Sequence, residues 1–147
     1  MDKTDTTNNI KSGVIICGGR YFNDYDTLET SMNKVMSELS LTFEDIEIIS
    51  GHCSGADQLG EQYAKKHNIN CKIFPAEWKK YGKSAGPIRN SKMIRYAAGT
   101  ELPVVVAFVS PQCKGTMDTL NKAKSKGFNV FVVEYEIVGS SVNVIDG

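Results

Sequence analysis

Apolar positions along the chain alternate between two periods. Residues 13–17 (GVIIC) form a short β-branched run that stops at Gly18-Gly19, which predicts a first strand. Residues 25–39 then place Leu28, Met32, Val35, Met36 and Leu39 on one helical face. Residues 46–50 (IEIIS) predict a second strand ending at Gly51, and 56–67 a second helix with Leu59, Tyr63 and Ala64 inward. A third strand, 71–74 (CKIF), is closed by Pro75. The stretch 77–87, rich in Lys, Gly and Ser, reads as a loop, and 88–98 as a third helix with Met93, Ile94 and Ala97 on its apolar side. Residues 104–109 (VVVAFV) are apolar throughout, the signature of a strand buried on both faces. A fourth helix over 116–126 is stopped by Gly127, and 129–133 predicts a fifth strand.

Five strands separated by helices predict an α/β fold: a doubly wound, Rossmann-like, parallel five-stranded sheet flanked by helices. The predicted division is a disordered leader over 1–12, a single domain over 13–134 and a tail over 135–147. The β-prone residues 142–145 leave an edge strand, a dimer contact or disorder open for that tail. Folds of this class bind ligands outside the carboxyl ends of their strands. Three glycine-containing turns fall there: Gly18-Gly19-Arg20 after strand one, Gly51 through Asp57 after strand two, and Pro111 through Asp118 after strand four.

Glycine after a strand lets backbone N–H groups approach an anion, and the following helix N-terminus adds partial positive charge. Gly51-His52-Cys53-Ser54-Gly55-Ala56-Asp57 and Lys114-Gly115-Thr116 both fit that chemistry, with Thr116 placed to cap its helix and offer a hydroxyl. One such turn is only a turn; three on one sheet edge point to a phosphate-bearing ligand. None matches the dinucleotide fingerprint or the P-loop.

Charge narrows the partner. The 147 residues carry 17 basic and 17 acidic side chains, which argues against a general nucleic-acid coat. No apolar run is long enough to cross a bilayer, so neither a membrane nor an oxidising compartment is expected, and the protein reads as cytoplasmic. Locally the balance breaks: Lys79, Lys80, Lys83, Arg89, Lys92 and Arg95 occur with no acidic residue between them. Lys79, Lys92 and Arg95 read as a solvated face. Arg89 follows Gly86-Pro87 and is expected in the first turn of the third helix, where a cation opposes the helix dipole unless an anionic ligand sits there.

Other side chains are weighed against plainer roles. Trp78 reads as core rather than as a stacking platform. His52 reads as an ordinary loop histidine rather than a base. Cys17, Cys53 and Cys113 all end strands, but their spacing is that of no zinc motif, so reduced, buried thiols are expected and neither metal nor cofactor is called for.

Taken together, Gly18-Gly19-Arg20-x-Phe22, Ser50-Gly51-x-x-Ser54-Gly55-Ala56-Asp57-x-Leu59, Phe74-Pro75-Ala76-x-Trp78, Tyr81-Gly82-Lys83-x-Ala85-Gly86-Pro87-x-Arg89-Asn90-x-x-Met93 and Lys114-Gly115-Thr116-x-Asp118 resemble the SLOG superfamily, and within it the YspA, cpYpsA-related branch. The resemblance implies a Rossmann-like fold and a nucleotide or nucleotide-derived ligand. It adds Ser50 and Asn90 to the ligand-binding candidates, a ribose contact for Asp57, and self-association. In related branches it implies hydrolysis of the N-glycosidic bond of nucleoside 5′-monophosphates, for which Asp57 and Asp118 are the candidate carboxylates. Those branches carry P-G-G-x-G-T-x-x-E after strand four. Here the stretch is Pro111 to Thr119, without both early glycines and with Thr119 at the glutamate position. Asp118, one residue early, is rotated by about 100° on a helix. A sensor or binding module therefore stands ahead of the hydrolase, with a single-strand nucleic-acid module, by analogy with another branch, last.

Overall fold

The computed structural model describes residues 10–145. The leader predicted for 1–12 lies outside the described residues up to residue 9, and Ser12 opens the first strand. The chain runs β1 (Ser12–Gly18), α1 (Tyr25–Glu38), a tight helical turn (Phe43–Asp45), β2 (Ile46–Ser50), α2 (Ala56–Lys66), β3 (Cys71–Ile73), α3 (Trp78–Tyr81), a second tight turn (Gly82–Ser84), α4 (Ala85–Ala98), β4 (Val104–Val109), α5 (Lys114–Ser125), β5 (Asn129–Val138) and β6 (Ser141–Val144).

Among the described residues the sheet has six strands in the order β3-β2-β1-β4-β5-β6. The five predicted strands are all parallel, and the sixth is the addition: β6 pairs antiparallel with β5 through a two-residue turn in which Gly139 takes φ 65°. That hairpin was hidden because β5 runs five residues past Val133 through Glu134 and Glu136, charges that read as a strand end. They are tolerated because both are exposed on β5, which lies next to the edge strand β6.

Alternation along the central strands divides the core into two layers. Val14 and Ile16 of β1, with Val104, Val106 and Phe108 of β4, meet Leu28, Met32, Val35, Tyr63 and Ala64 from α1 and α2. Ile15 and Cys17, with Val105 and Ala107, meet Met93, Ile94, Ala97, Leu120 and Ala123 from α4 and α5. β4 is buried on both faces, as its unbroken apolar run predicts, and it lies beside β1, also buried on both faces, at the middle of the sheet. Among the described residues no helix is long and apolar enough to cross a membrane.

The stretch predicted as loop is largely helical. α4 begins at Ala85, three residues early, with Pro87 as its third residue. A proline in the first turn loses no hydrogen bond, because that N–H has no intrahelical acceptor. Gly86-Pro87 therefore reads as a loop in sequence and behaves as a helix start. α5 likewise begins at Lys114 with Cys113 as its N-cap, so Thr116 is buried in the first turn and does not cap.

A polar tie fastens α1 to the end of α2. Glu29 accepts hydrogen bonds from Lys66 Nζ (2.9 Å) and Tyr25 Oη (3.1 Å) and lies 2.9 Å from His67 Nε2. The bond from Lys66, then that from His67, hold its carboxyl down to about 2 against an ordinary 4.5. A carboxylate held low contributes stability above its ordinary value and loses it as pH falls towards the folded one. Glu29→Gln should lower Tm at neutral pH, with the deficit vanishing between pH 4.5 and 2. A Tm-against-pH curve displaced equally at every pH would contradict this origin.

Candidate functional site

The first two glycine turns close on each other. Gly19 N–H donates to Phe108 O of β4 (3.0 Å), and Gly19 O accepts from both Phe22 N–H and Ala56 N–H (3.2 Å each). The first amide of α2 is thereby used within the protein. Gly55 takes φ 87° and lies directly against Gly19 and Arg20, so a side chain there would strike their backbone. Beneath Gly19 the space towards β4 is filled by Tyr135 Oη and Cys113 Sγ. Both are buried, and the Tyr135 ring packs tilted against Phe22, which stacks in turn with Phe108. The crevice between β1 and β4, where the strand order reverses, is thus occupied near Gly19 by the protein's own side chains. Gly18 sits equally tightly against Phe108 and Ala56, whereas Arg20 and Ser54 are exposed on the rim.

Arg89 joins the second turn to the helix layer on the opposite side. It lies in the second turn of α4, not the first, so its position owes nothing to the helix dipole. The residue is 9% exposed. Nη1 donates to Gly51 O, Nη2 reaches Cys53 Sγ (3.6 Å), and Nε donates to Asn90 Oδ1 (2.8 Å). Gly51 has no room for a Cβ, because Arg89 Nη1 and an Asp57 carboxylate oxygen stand within 2.9 Å of it. Asn90 Nδ2 then donates to Asp118 Oδ2 (3.0 Å) and Gly115 O (3.3 Å), bringing in the start of α5. The turns after β2 and β4 therefore meet through Arg89 and Asn90. Gly115 and Lys114 are exposed, and nothing crowds the missing Cβ of Gly115.

The two candidate carboxylates differ. Asp118 is bound to Lys122 Nζ (2.7 Å), which also donates to Pro87 O (3.0 Å), so it braces α4 against α5. Thr119, at the family's glutamate position, is 2% exposed. Asp57 is buried under Gly51. Its Oδ2 accepts Cys53 N–H at 3.4 Å. Burial pushes its carboxyl up to about 6, against the opposing pull of the Cys53 amide, the Arg89 guanidinium and the Gly18 amide. Cys17, fully buried beside Asp57, has its thiol raised, first by burial and then by that neighbouring charge. Among the described residues no group of three His, Cys, Asp or Glu side chains is placed to hold a metal ion.

A cavity of about 220 Å³ opens beside Arg89, where β3 ends against α4. Its wall includes Lys72, Phe74, Glu77, Tyr81, Arg89 and Lys92. Three cations and two aromatic rings thus face one small space. Lys72 already lies over the Phe74 ring (5.9 Å) and Lys92 over the Tyr81 ring (5.8 Å). Trp78, which the sequence reading buries, is 59% exposed at the start of α3. Gly86 is buried near its ring, not open to a ligand.

Residues 13–81 match the model of the YspA, cpYpsA-related SLOG family. The chain is also similar to the Gene 61 protein of Mycobacterium phage D29, with 28% identity over 122 residues, 80% of this chain and 92% of that protein. No solved structure matches it. The matched segment contains both glycine turns, Ser50 and Asp57, and ends at Tyr81 in the cavity wall. Arg89, Asn90 and Asp118 follow it in sequence, and Arg89 reaches back to it at Gly51 O and Cys53 Sγ.

The second turn of the matched segment holds two further polar residues. Ser50 is fully buried and donates from Oγ to Glu61 Oε2 (2.7 Å), while accepting His52 N–H (3.0 Å). It braces the turn from inside and does not face the cavity side. Glu61 also holds His52 Nδ1 at 2.9 Å. Sequence reasoning passed over Glu61, since a glutamate five residues into a helix carries no signal until the helix is folded back beside the turn.

Proposed function

We propose that the chain binds a nucleotide or nucleotide-derived, phosphate-bearing ligand across the C-terminal edge of its sheet, at the turn after β2, with Arg89 as the anion anchor. The observation that carries this reading is a buried guanidinium in the wall of a small cationic cavity. Its three protein acceptors are neutral or weak, two of them a carbonyl and a thiol, so the charge itself has no carboxylate in direct contact. A buried cation of that kind favours an incoming anion. Lys72 and Lys92 add charge at the mouth, and Phe74 and Tyr81 offer ring faces to a base. At about 220 Å³ the cavity is below the usual ligand range, so it takes one phosphate-bearing fragment while the rest of the ligand lies over the turn. The match of residues 13–81 to a SLOG family model is consistent with a nucleotide-related role.

Calorimetry with AMP, GMP, NAD⁺ and ADP-ribose tests the reading. Arg89→Lys should weaken the best binder by about ten- to a hundredfold, since it loses one or more charge-assisted hydrogen bonds. Lys72→Ala with Lys92→Ala, both at exposed positions, should weaken binding and flatten its salt dependence without lowering Tm. Affinity indifferent to all three substitutions would remove Arg89 and the cavity from the site.

A further inference from the structure

We propose that His52 and Glu61 form a proton-transfer pair, with His52 Nε2 the atom that takes and returns a proton during hydrolysis of the ligand lying over the β2 turn. The proposal rests on the binding reading above and adds a reaction to it.

The geometry fixes His52 at two points. Glu61 holds the ring, with its two carboxylate oxygens 3.1 and 2.9 Å from Nδ1. Ser50 Oγ holds the backbone, accepting His52 N–H, and its own proton goes to Glu61. A surface ion pair needs no such brace. This one is anchored on a serine with no exposed surface, at the end of β2. His52 adopts φ 62°, the left-handed region that a residue with a Cβ seldom takes without support. With Nδ1–H directed at a carboxylate, the neutral ring carries its lone pair on Nε2, which makes no hydrogen bond among the described residues. The ring is half exposed, whereas Glu61 is mostly covered.

Position completes the case. Gly51 O, one residue before His52, is the acceptor for Arg89. The base and the anion anchor thus flank a single peptide unit at the sheet edge. The charged groups around His52 are Glu61 and Asp57 from α2 and Arg89 from α4. Asp57 is buried behind Gly51, and Asp118 is engaged with Lys122, so neither reaches a water over the turn as readily as His52 does.

The step balances without another reactant. A water oxygen bonds to the electrophilic atom of the ligand, and its proton passes to Nε2. The electron pair of the cleaved bond leaves with the departing group. That group then takes the proton from Nε2, restoring the neutral ring, and Glu61 stabilises the imidazolium in between.

The full chain, incubated with AMP, NAD⁺ and ADP-ribose and followed by chromatography and phosphorus NMR, should convert at least one of them. His52→Gln should lower kcat about a hundred- to ten-thousandfold with Kd for that probe unchanged. Glu61→Gln, a positioning change, should lower kcat with KM retained. Nitrogen NMR of the wild type should show His52 with its proton on Nδ1. Binding of a probe without conversion, full conversion by His52→Gln, or a proton on Nε2 would each overturn the pair while leaving the binding reading intact. Binding of none of the three probes would overturn both.

Discussion

Asp57→Asn is expected to stabilise the protein by about 1–3 kcal/mol at pH 8 and to change little near pH 4. The sign follows from burial. Removal from water raises the Asp57 carboxyl from 3.8 to about 6, so the folded state resists its ionisation. A carboxylate raised in this way costs nothing while protonated. It lowers stability as pH climbs through the interval from 3.8 to about 6, and the loss is complete above it. Asparagine keeps the shape and an oxygen for the Cys53 N–H, and never ionises. The gain is capped because Arg89 loses a neighbouring negative charge. Urea unfolding of both proteins at the two pH values measures it. A variant destabilised at pH 8 would mean that the Arg89–Asp57 attraction outweighs desolvation. Stability gained by removing a side chain marks a residue kept for something else. Under the proposed function, the same variant should lose ligand affinity.

Gly55→Ala should be the most damaging single methyl in the chain, and Gly19→Ala should be damaging but partly reversible. At Gly55 the added carbon overlaps the carbonyl of Gly19 and the backbone of Arg20, and φ 87° is itself unfavourable for alanine. Backbone cannot swing aside, so a loss of about 3 kcal/mol or more is expected, a large share of a stability of about 5–15 kcal/mol. At Gly19 the overlap is with the tip of the Tyr135 side chain, with Cys113 Sγ next at 2.9 Å. A loss of about 2–3 kcal/mol is expected for that overpacking. Removing the hydroxyl in the double variant Gly19→Ala, Tyr135→Phe should recover at least about 1 kcal/mol, a coupling a double-mutant cycle can read. Tyr135→Phe alone should be nearly neutral, since its hydroxyl has only a long contact of 4.0 Å to Cys113. Zero coupling would show that Gly19 is required for another reason.

These two predictions bear on what the glycine turns are for. Gly18, Gly19, Gly51 and Gly55 are small because protein packs against them: β4, Tyr135, Arg89 and the neighbouring turn. Gly115, unlike these four, has open space where a Cβ would stand. The anion-binding potential of this edge therefore rests on side chains, Arg89 above all, more than on bare backbone.

Much of this was legible in sequence because it is local. The two periods of apolar residues determined the four longer helices and the five parallel strands, and the uninterrupted run 104–109 marked β4 as a strand buried on both faces. Gly-rich turns marked the edge where Arg89 and Asn90 join β2 to α5. What sequence could not determine depends on residues distant along the chain. Tyr135 fills the crevice below Gly19, β6 extends the sheet past the predicted fifth strand, and α4 starts at Ala85 because the preceding tight turn leads directly into it. The His52–Glu61 pair belongs to the same class. Periodicity reports which face of an element is apolar, and carries no information on which polar tips meet once elements pack; only tertiary structure sets those distances.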